Sequence, residues 1–578
     1  MALNLVRNSK VFFTTNVNAT TGIITQDTAF TAANTTEIQV LDGFTFSQNT
    51  NQDTVTISEA GTAPVRGQRA FNTSLAPVDF SFSNYVRPYK ASATLITAEE
   101  SVLWNALLSD ADISTANTQA AGGSPTAAYT YANGIGTITF SGMSLTAAYT
   151  VGTTIVIGGL TASVSAESTY FNAAAIVTEV TALTGMKVEL VNVKVGITST
   201  LTATAGNTKF YKSAWAPVDN AYSLVTAGGS NKNQLQKFGL LFLVDQVLYA
   251  VDNCALNQVS IDFGLDAIAT AAWTGQATQV RRIAEGATAI NGTFGANSVA
   301  VGAGTVGTPT GSGSAWAVPY TLTTAAPLSL VVGSPVSSVG TGQLGTGAKI
   351  TSITYNAAGS VSSFTVASTT TATAGAATSA TALSFANSSV YTAKVTAASY
   401  ITNKLSTVTL TTLNALVNSA GFTVSPNGTA YAIALTGGSI TINNNISYIT
   451  PANLGVVNIP VTYYTGTRAI TGTLNAYLKT GAGAASTGQL LSDLLDSANA
   501  TVEPMFALSI NIGGALNTLN RVVMEMPSVT LTLPSMDVQQ VVSTSINFTA
   551  QGSSPTSATA GVYDLAEAND ISVRYYGV

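Results

Sequence analysis

Most enzyme chemistry is carried by histidine and cysteine, and this chain of 578 residues has no histidine and one cysteine, Cys254. Without imidazole there is no Ser-His-Asp or Cys-His arrangement, no histidine-ligated zinc and no imidazole pH switch. One cysteine excludes an intrachain disulfide and a thiolate cluster. In the apolar context VDNCAL it reads as a small buried residue. A histidine-free hydrolase would have to rely on paired carboxylates, as glycosidases do. Here the acidic residues are scattered at turns, so neither an enzyme nor a metal or cofactor site is expected. Five charged residues stand out by position. Arg69 and Arg468 each sit in a Gly-x-Arg-Ala element ahead of an alternating strand, where an arginine meets a carboxylate across a subunit seam or simply points to water. Glu37, Asp42 and Asp53 flank a candidate hairpin, where a carboxylate serves a seam or only a turn.

The elements that position these residues are strands. Charged residues make up 8% of the chain and hydrophobic ones 46%, so Thr, Ser, Asn and Gln must supply surface polarity. The formal net charge of −6 argues against binding nucleic acid by counterion release. Phe238 to Ala277 is the strongest β segment, with apolar runs around Asp245 followed by period-two alternation. An echo appears at Phe506 to Gly552: Phe238-Gly-Leu answers Phe506-Ala-Leu, Gln258-Val-Ser-Ile-Asp-Phe answers Ser528-Val-Thr-Leu-Thr-Leu, and Trp273-Thr-Gly-Gln answers Phe548-Thr-Ala-Gln. Upstream, an opening strand and a hairpin occur twice, turning at Asp42-Gly43 and at Gly437-Gly438. Each half also offers one helix. Thr97-Ala-Glu-Glu100 and Ser486-Thr-Gly-Gln489 read as capping boxes. Behind them lie the stripes Leu103, Trp104, Leu107, Leu108 and Leu490, Leu491, Leu494, Leu495. Self-similarity of this kind predicts a duplicated β unit.

Two Thr/Ala/Gly-rich blocks with alternating valines interrupt the scheme and read as small β modules. The expected division is 1–110 and 237–283 for the first unit, 111–236 and 284–393 for the inserts, and 394–578 for the second unit. Tyr170, Phe171 and Trp316 are the inserts' candidate glycan-binding aromatics. The N-terminus lacks the apolar core of a signal peptide, and no apolar run reaches the roughly 20 residues of a membrane span.

RGQRAFNTSLAPVDFSFSNYVRPY, INNNISYITPANLGVV with TGTRAITGTL, and IDFGLDAIATAAWTG resemble tail tube proteins of long-tailed bacteriophages. The resemblance covers the two β copies and not the inserts. It implies a mainly β fold, with two tail-tube-like sandwich or half-barrel domains, each flanked by a helix, plus two inserted small β domains. It further implies a structural virion protein, made in the host cytoplasm, that polymerises into stacked rings through which double-stranded DNA passes without specific binding. A doubled domain favours a homotrimer with pseudo-six-fold symmetry over a hexamer. Tape measure protein and tail terminator are the expected partners, and no membrane is involved. On this reading Glu37, Asp42 and Asp53 become candidates for the lumen or a ring seam, together with Arg69 and Arg468. The loop Asn16 to Thr36 would reach the adjacent ring, and the inserts would decorate the outside. The alternative is a secreted or surface-layer β-repeat adhesin, which shares the low charge and the Thr/Ala/Gly-rich modules.

Overall fold

The computed structural model describes residues 9–577 except for 57–67, 91–95, 109–117, 191–196, 226–234, 286–297, 384–399, 480–485, 499–503, 515–519, 552–569 and breaks of one to four residues. The fold is mainly β, and one 19-stranded antiparallel sheet system dominates it. From the first half of the chain it takes β1 (Lys10–Thr14), β2 (Thr35–Ile38), β3 (Thr45–Thr56) and β4 (Gln68–Tyr85). Helix α1 (Ser101–Leu108) follows, and later β5 (Phe238–Val244), β6 (Val247–Asp262), β7 (Thr270–Ala277) and β8 (Gln279–Glu285). The second half supplies β9 (Thr407–Thr412), β10 (Ala430–Ala432), β11 (Leu435–Asn443), β12 (Ala469–Tyr477) and helix α2 (Thr487–Ser497). It ends with β13 (Phe506–Gly513), β14 (Arg521–Leu531), β15 (Ser535–Val538), β16 (Val542–Gln551) and β17 (Ser572–Tyr576).

The same pairing scheme occurs in both halves. β1 lies between β2 and β5, β5 pairs β6, β6 pairs β7 and β8, β7 pairs β4, and β4 pairs β3. Likewise β9 lies between β10 and β13, β13 pairs β14, β14 pairs β16 and β17, β16 pairs β12, and β12 pairs β11. One difference is local: where β6 runs unbroken to Asp262, the second half uses two strands, β14 and then β15, both against β16.

Following the registers gives residue equivalences that sequence similarity had placed differently. Gly275 opposes Phe80, and Gly472 opposes Phe548. These are the same two positions with glycine and aromatic exchanged, and in both the ring covers the glycine opposite. By the same route Ser260-Ile-Asp262 corresponds to Ser535-Met-Asp537, whereas Ser528 corresponds to the level of Asn253, not of Gln258. Strands rich in Val and Thr match one another at several shifts of two, and a bulge between Leu256 and Gln258 adds a residue that a sequence comparison cannot see.

The helices correct part of the capping reading. Ser486 does cap α2, its hydroxyl accepting from the Gln489 N–H at 3.2 Å, but Gln489 turns its amide to Asp493 at 2.6 Å. Leu490, Leu491 and Leu494 are buried whereas Leu495 is exposed, so the stripe is narrower than expected. Thr97 is placed not at the start of α1 but in a short strand, opposite Tyr89. α1 buries Leu103, Trp104, Leu107 and Leu108 under the large sheet.

Two further sheets have cores of their own. A seven-stranded sheet lies within 118–212 and an eight-stranded one within 298–383. Tyr170 and Phe171 are buried in the first core, which leaves them no face for a glycan. Two strands inside the range expected for the first insert, Ala216–Val218 and Ala221–Val225, join the large sheet instead, the latter pairing β17. No helix among the described residues is long and apolar enough to cross a membrane.

Candidate functional site

Eight strands stand side by side in the order β3-β4-β7-β6-β11-β12-β16-β15. Strand alternation gives this row two chemically opposite faces. Inward go Phe80, Phe82, Trp273, Val259, Ile261, Ile440, Ile442, Ile470, Leu474, Ile546 and Phe548, all in one hydrophobic core with α1 and α2. The other face carries Thr45, Ser47, Asp79, Ser81, Thr274, Gln276, Ser260, Asp262, Thr441, Thr471, Thr473, Asn475, Asn547 and Thr549, all exposed or half-buried.

Short hydrogen bonds tie that polar face together from strand to strand. Thr45 Oγ1 meets Ser81 Oγ at 2.8 Å and Gln276 Nε2 donates to Asp79 Oδ1 at 3.0 Å. Ser260 Oγ meets Thr441 Oγ1 at 3.3 Å across the junction of the two halves, and Thr473 Oγ1 donates to Asn547 Oδ1 at 2.8 Å. Of these outward side chains two are carboxylates and none is Lys or Arg. Such a face keeps a bound water layer through hydroxyls and amides while offering a polyanion nothing to hold. Among the described residues, no group of three or more Cys, Asp or Glu is placed to hold a metal.

Of the five residues chosen from sequence, the four that are described lie elsewhere. Glu37 is buried, with Lys10 Nζ at 3.3 Å. Asp53 is exposed on the far half of the β3–β4 hairpin, its Oδ1 accepting from the Thr54 N–H at 2.8 Å. Asp42 lies outside the described residues. Arg69 stands opposite Val55 on the same distal hairpin. Arg468 lies at the base of β12, its guanidinium 3.4 Å from Asp570 and 3.0 Å from Asn444 Oδ1. By strand register the first-half residues level with Arg468 are those around Ala76, so the two arginines do not occupy matching places. Asp79 and Asp262, the carboxylates that do share the polar face, were overlooked. Their signal was present in the alternations VDFSF and SID.

A second cluster is buried beneath the sheet. Arg87 pairs with Glu99, whose other oxygen accepts from the Gln39 N–H. Glu100 Oε1 accepts from the Arg87 N–H at 3.2 Å. Burial pushes Glu99 up to about 8, the neighbouring Arg87 offsetting part of the rise. Burial likewise pushes Glu100 up to about 7, with the phenol of Tyr575 from β17 among its neighbours. Cys254 is buried and burial raises its thiol well above the usual range, so it has none of the thiolate character of a reactive cysteine.

No family model matches the chain. A stretch of 110 residues, 19% of this chain, is 36% identical to the tail tube protein pb6 of Escherichia phage T5. The match spans about a fifth of that relative, 22% of its length.

Proposed function

We propose that this protein is a tail tube subunit of a tailed bacteriophage, a structural virion protein whose copies stack as rings into a conduit for DNA. The observation that carries the reading is the eight-stranded polar face, continuous across both halves and, among the described residues, without a cation among its outward side chains. The partial likeness to a phage tail tube protein points the same way. Turned inward, that face is the lumen: wet, neutral to acidic, and unable to retain phosphate. The repeated pairing scheme supports a tube unit built twice, so that three chains complete a ring of six-fold appearance. The two sheets within 118–212 and 298–383, each with its own core, are too bulky for a bore and sit on the outside of the wall. Tape measure protein and tail terminator are the partners this role requires.

Negative-stain electron microscopy of the purified protein tests the proposal. Hollow tubes, or rings whose class averages show three chains, are expected. A protein that stays monomeric at high concentration, or forms solid fibres without a bore, overturns it.

A further inference from the structure

Helix α1 belongs to the first half, yet both of its ends answer to one short segment of the second half, residues 570–576. Ile571, Val573 and Tyr575 enter the same core as α1. Tyr575 sets its phenol against the Glu100 carboxyl, immediately ahead of the helix, and against the Trp104 indole. At the other end, Asn444 Nδ2 donates to the Leu107 carbonyl at 3.0 Å, one of the carbonyls that a helix leaves without an internal partner. Asn444 Oδ1 accepts from Arg468 Nε at 3.0 Å, and the Arg468 guanidinium lies 3.4 Å from Asp570. The lengths agree: the helix rises about 12 Å, and the strand steps from Asp570 to Tyr575 cover about 16 Å. α2 is held within its own half, Asp493 Oδ2 accepting from Tyr431 Oη at 2.5 Å and Thr487 Oγ1 from the Ala434 N–H at 3.2 Å.

We infer that the segment 570–576 is a pH-sensitive latch between the two halves, gripping α1 at both ends and loosened by alkali at the Tyr575 end. The two grips differ in charge. At the close of α1 the Arg468 guanidinium meets the carboxylate of Asp570. At its start Glu99 and Glu100 share Arg87, and Glu37, paired with Lys10, stands beside Glu99. Gln39, Tyr575, the Trp104 N–H and the Tyr400 ring, 5.5 Å from the Arg87 guanidinium, complete the described surroundings. With both carboxyls ionised, two buried negative charges would answer to one guanidinium. Burial therefore keeps them protonated, raising Glu99 to about 8 and Glu100 to about 7. Because these folded values are raised, the stability from the two protons is full below the ordinary 4.5. It is lost as the pH rises through 7 and 8, the protons leaving to solvent. Glu100 Oε1 is already held by the Arg87 N–H at 3.2 Å, so an ionised Glu100 gains water most directly on the side that Tyr575 covers.

Hydrogen–deuterium exchange of the full chain, dilute and unassembled, tests the latch once each rate is divided by the intrinsic chemical rate at that pH. Amides of β17 and α1 should exchange faster at pH 9 than at pH 6 by a factor of about ten or more, the contribution of Glu100 alone being about tenfold. β6 and β11, where the halves meet strand to strand, should show no such acceleration. Glu100→Gln should shrink the acceleration about tenfold. Asn444→Ala should speed exchange in α1 at both pH values and leave the pH dependence of β17 unchanged; an unaltered α1 overturns the second grip. Protection of β17 that is constant with pH, or that falls equally in β6 and β11, overturns the latch. That result is read on the unmodified protein, so it decides the matter even if a variant fails to fold. The measurement uses single chains, so the tube role stands or falls separately.

Discussion

Replacing Glu100 by glutamine should make the protein more stable, and by an amount that depends on pH. The side chain has no measurable exposure, and burial raises its carboxyl to about 7 from an ordinary 4.5. A raised folded-state value means the folded protein holds a proton that the unfolded chain has lost. The stability contributed by that proton is fully present below pH 4.5 and is lost as the pH rises through 7. A shift of about 2.5 units corresponds to about 3 kcal/mol. Glutamine keeps an oxygen for the Arg87 N–H and carries no charge to bury. Urea unfolding of both proteins between pH 4.5 and pH 8.5, followed by fluorescence of the buried Trp104 and Trp273, measures the difference directly. The gap should widen in favour of Glu100→Gln by about 3 kcal/mol over that window. A gap that stays constant with pH, or narrows, would refute the claim that this carboxyl is protonated by burial.

Other expectations follow from packing and charge. Trp273 stacks edge-on to Trp104 at 5.2 Å and donates to Asn84 at 2.7 Å, so Trp273→Ala should cost about 3–5 kcal/mol by urea midpoint. A loss under 1 kcal/mol would show that this core tolerates a cavity. A Cβ on Gly275 would lie 2.4 Å from Phe80 Cζ and 2.5 Å from Ala255 O, so Gly275→Ala should destabilise by roughly 1–3 kcal/mol; Gly275→Ala/Phe80→Leu should recover part of it in the same assay. Thr274→Lys/Thr473→Lys should leave assembly intact but make tubes retain double-stranded DNA at low salt and release it at high salt. Retention equal to the unmodified tube would dissociate the polar face from the bore. Cys254 should react with a thiol reagent only after denaturation, and prompt labelling of native protein would contradict its burial.

The local vocabulary of the fold was legible in the residues. Period-two alternation marked β5 to β7 and their echo in β13, β14 and β16, and Ser486 announced the start of α2. What misled was chemistry that looks the same locally and differs in three dimensions. Glu99 and Glu100 have the spacing of a helix cap, yet their carboxylates answer to Arg87 and Gln39, just beyond the ends of β4 and β2. Glu37 reads as a hairpin carboxylate and is buried beside Lys10. Arg69 and Arg468 share a motif but lie at different heights of their hairpins, because β4 begins ahead of Arg69 whereas β12 begins after Arg468.

Sequence alone determined that this chain would be built of strands with one apolar and one hydroxyl-rich face. It also withheld the side chains from which most active sites are made. Those properties depend on residue type and on neighbours one or two positions away. Tertiary structure decided which strands are partners: that β6 accepts β11 beyond its own half, that Asp79 and Asp262 share one face, and that, among the described residues, the row ends on β3 and β15. A period of two says which way a side chain points and nothing about which strand lies beside it, so partner choice waits for the packing of the whole core.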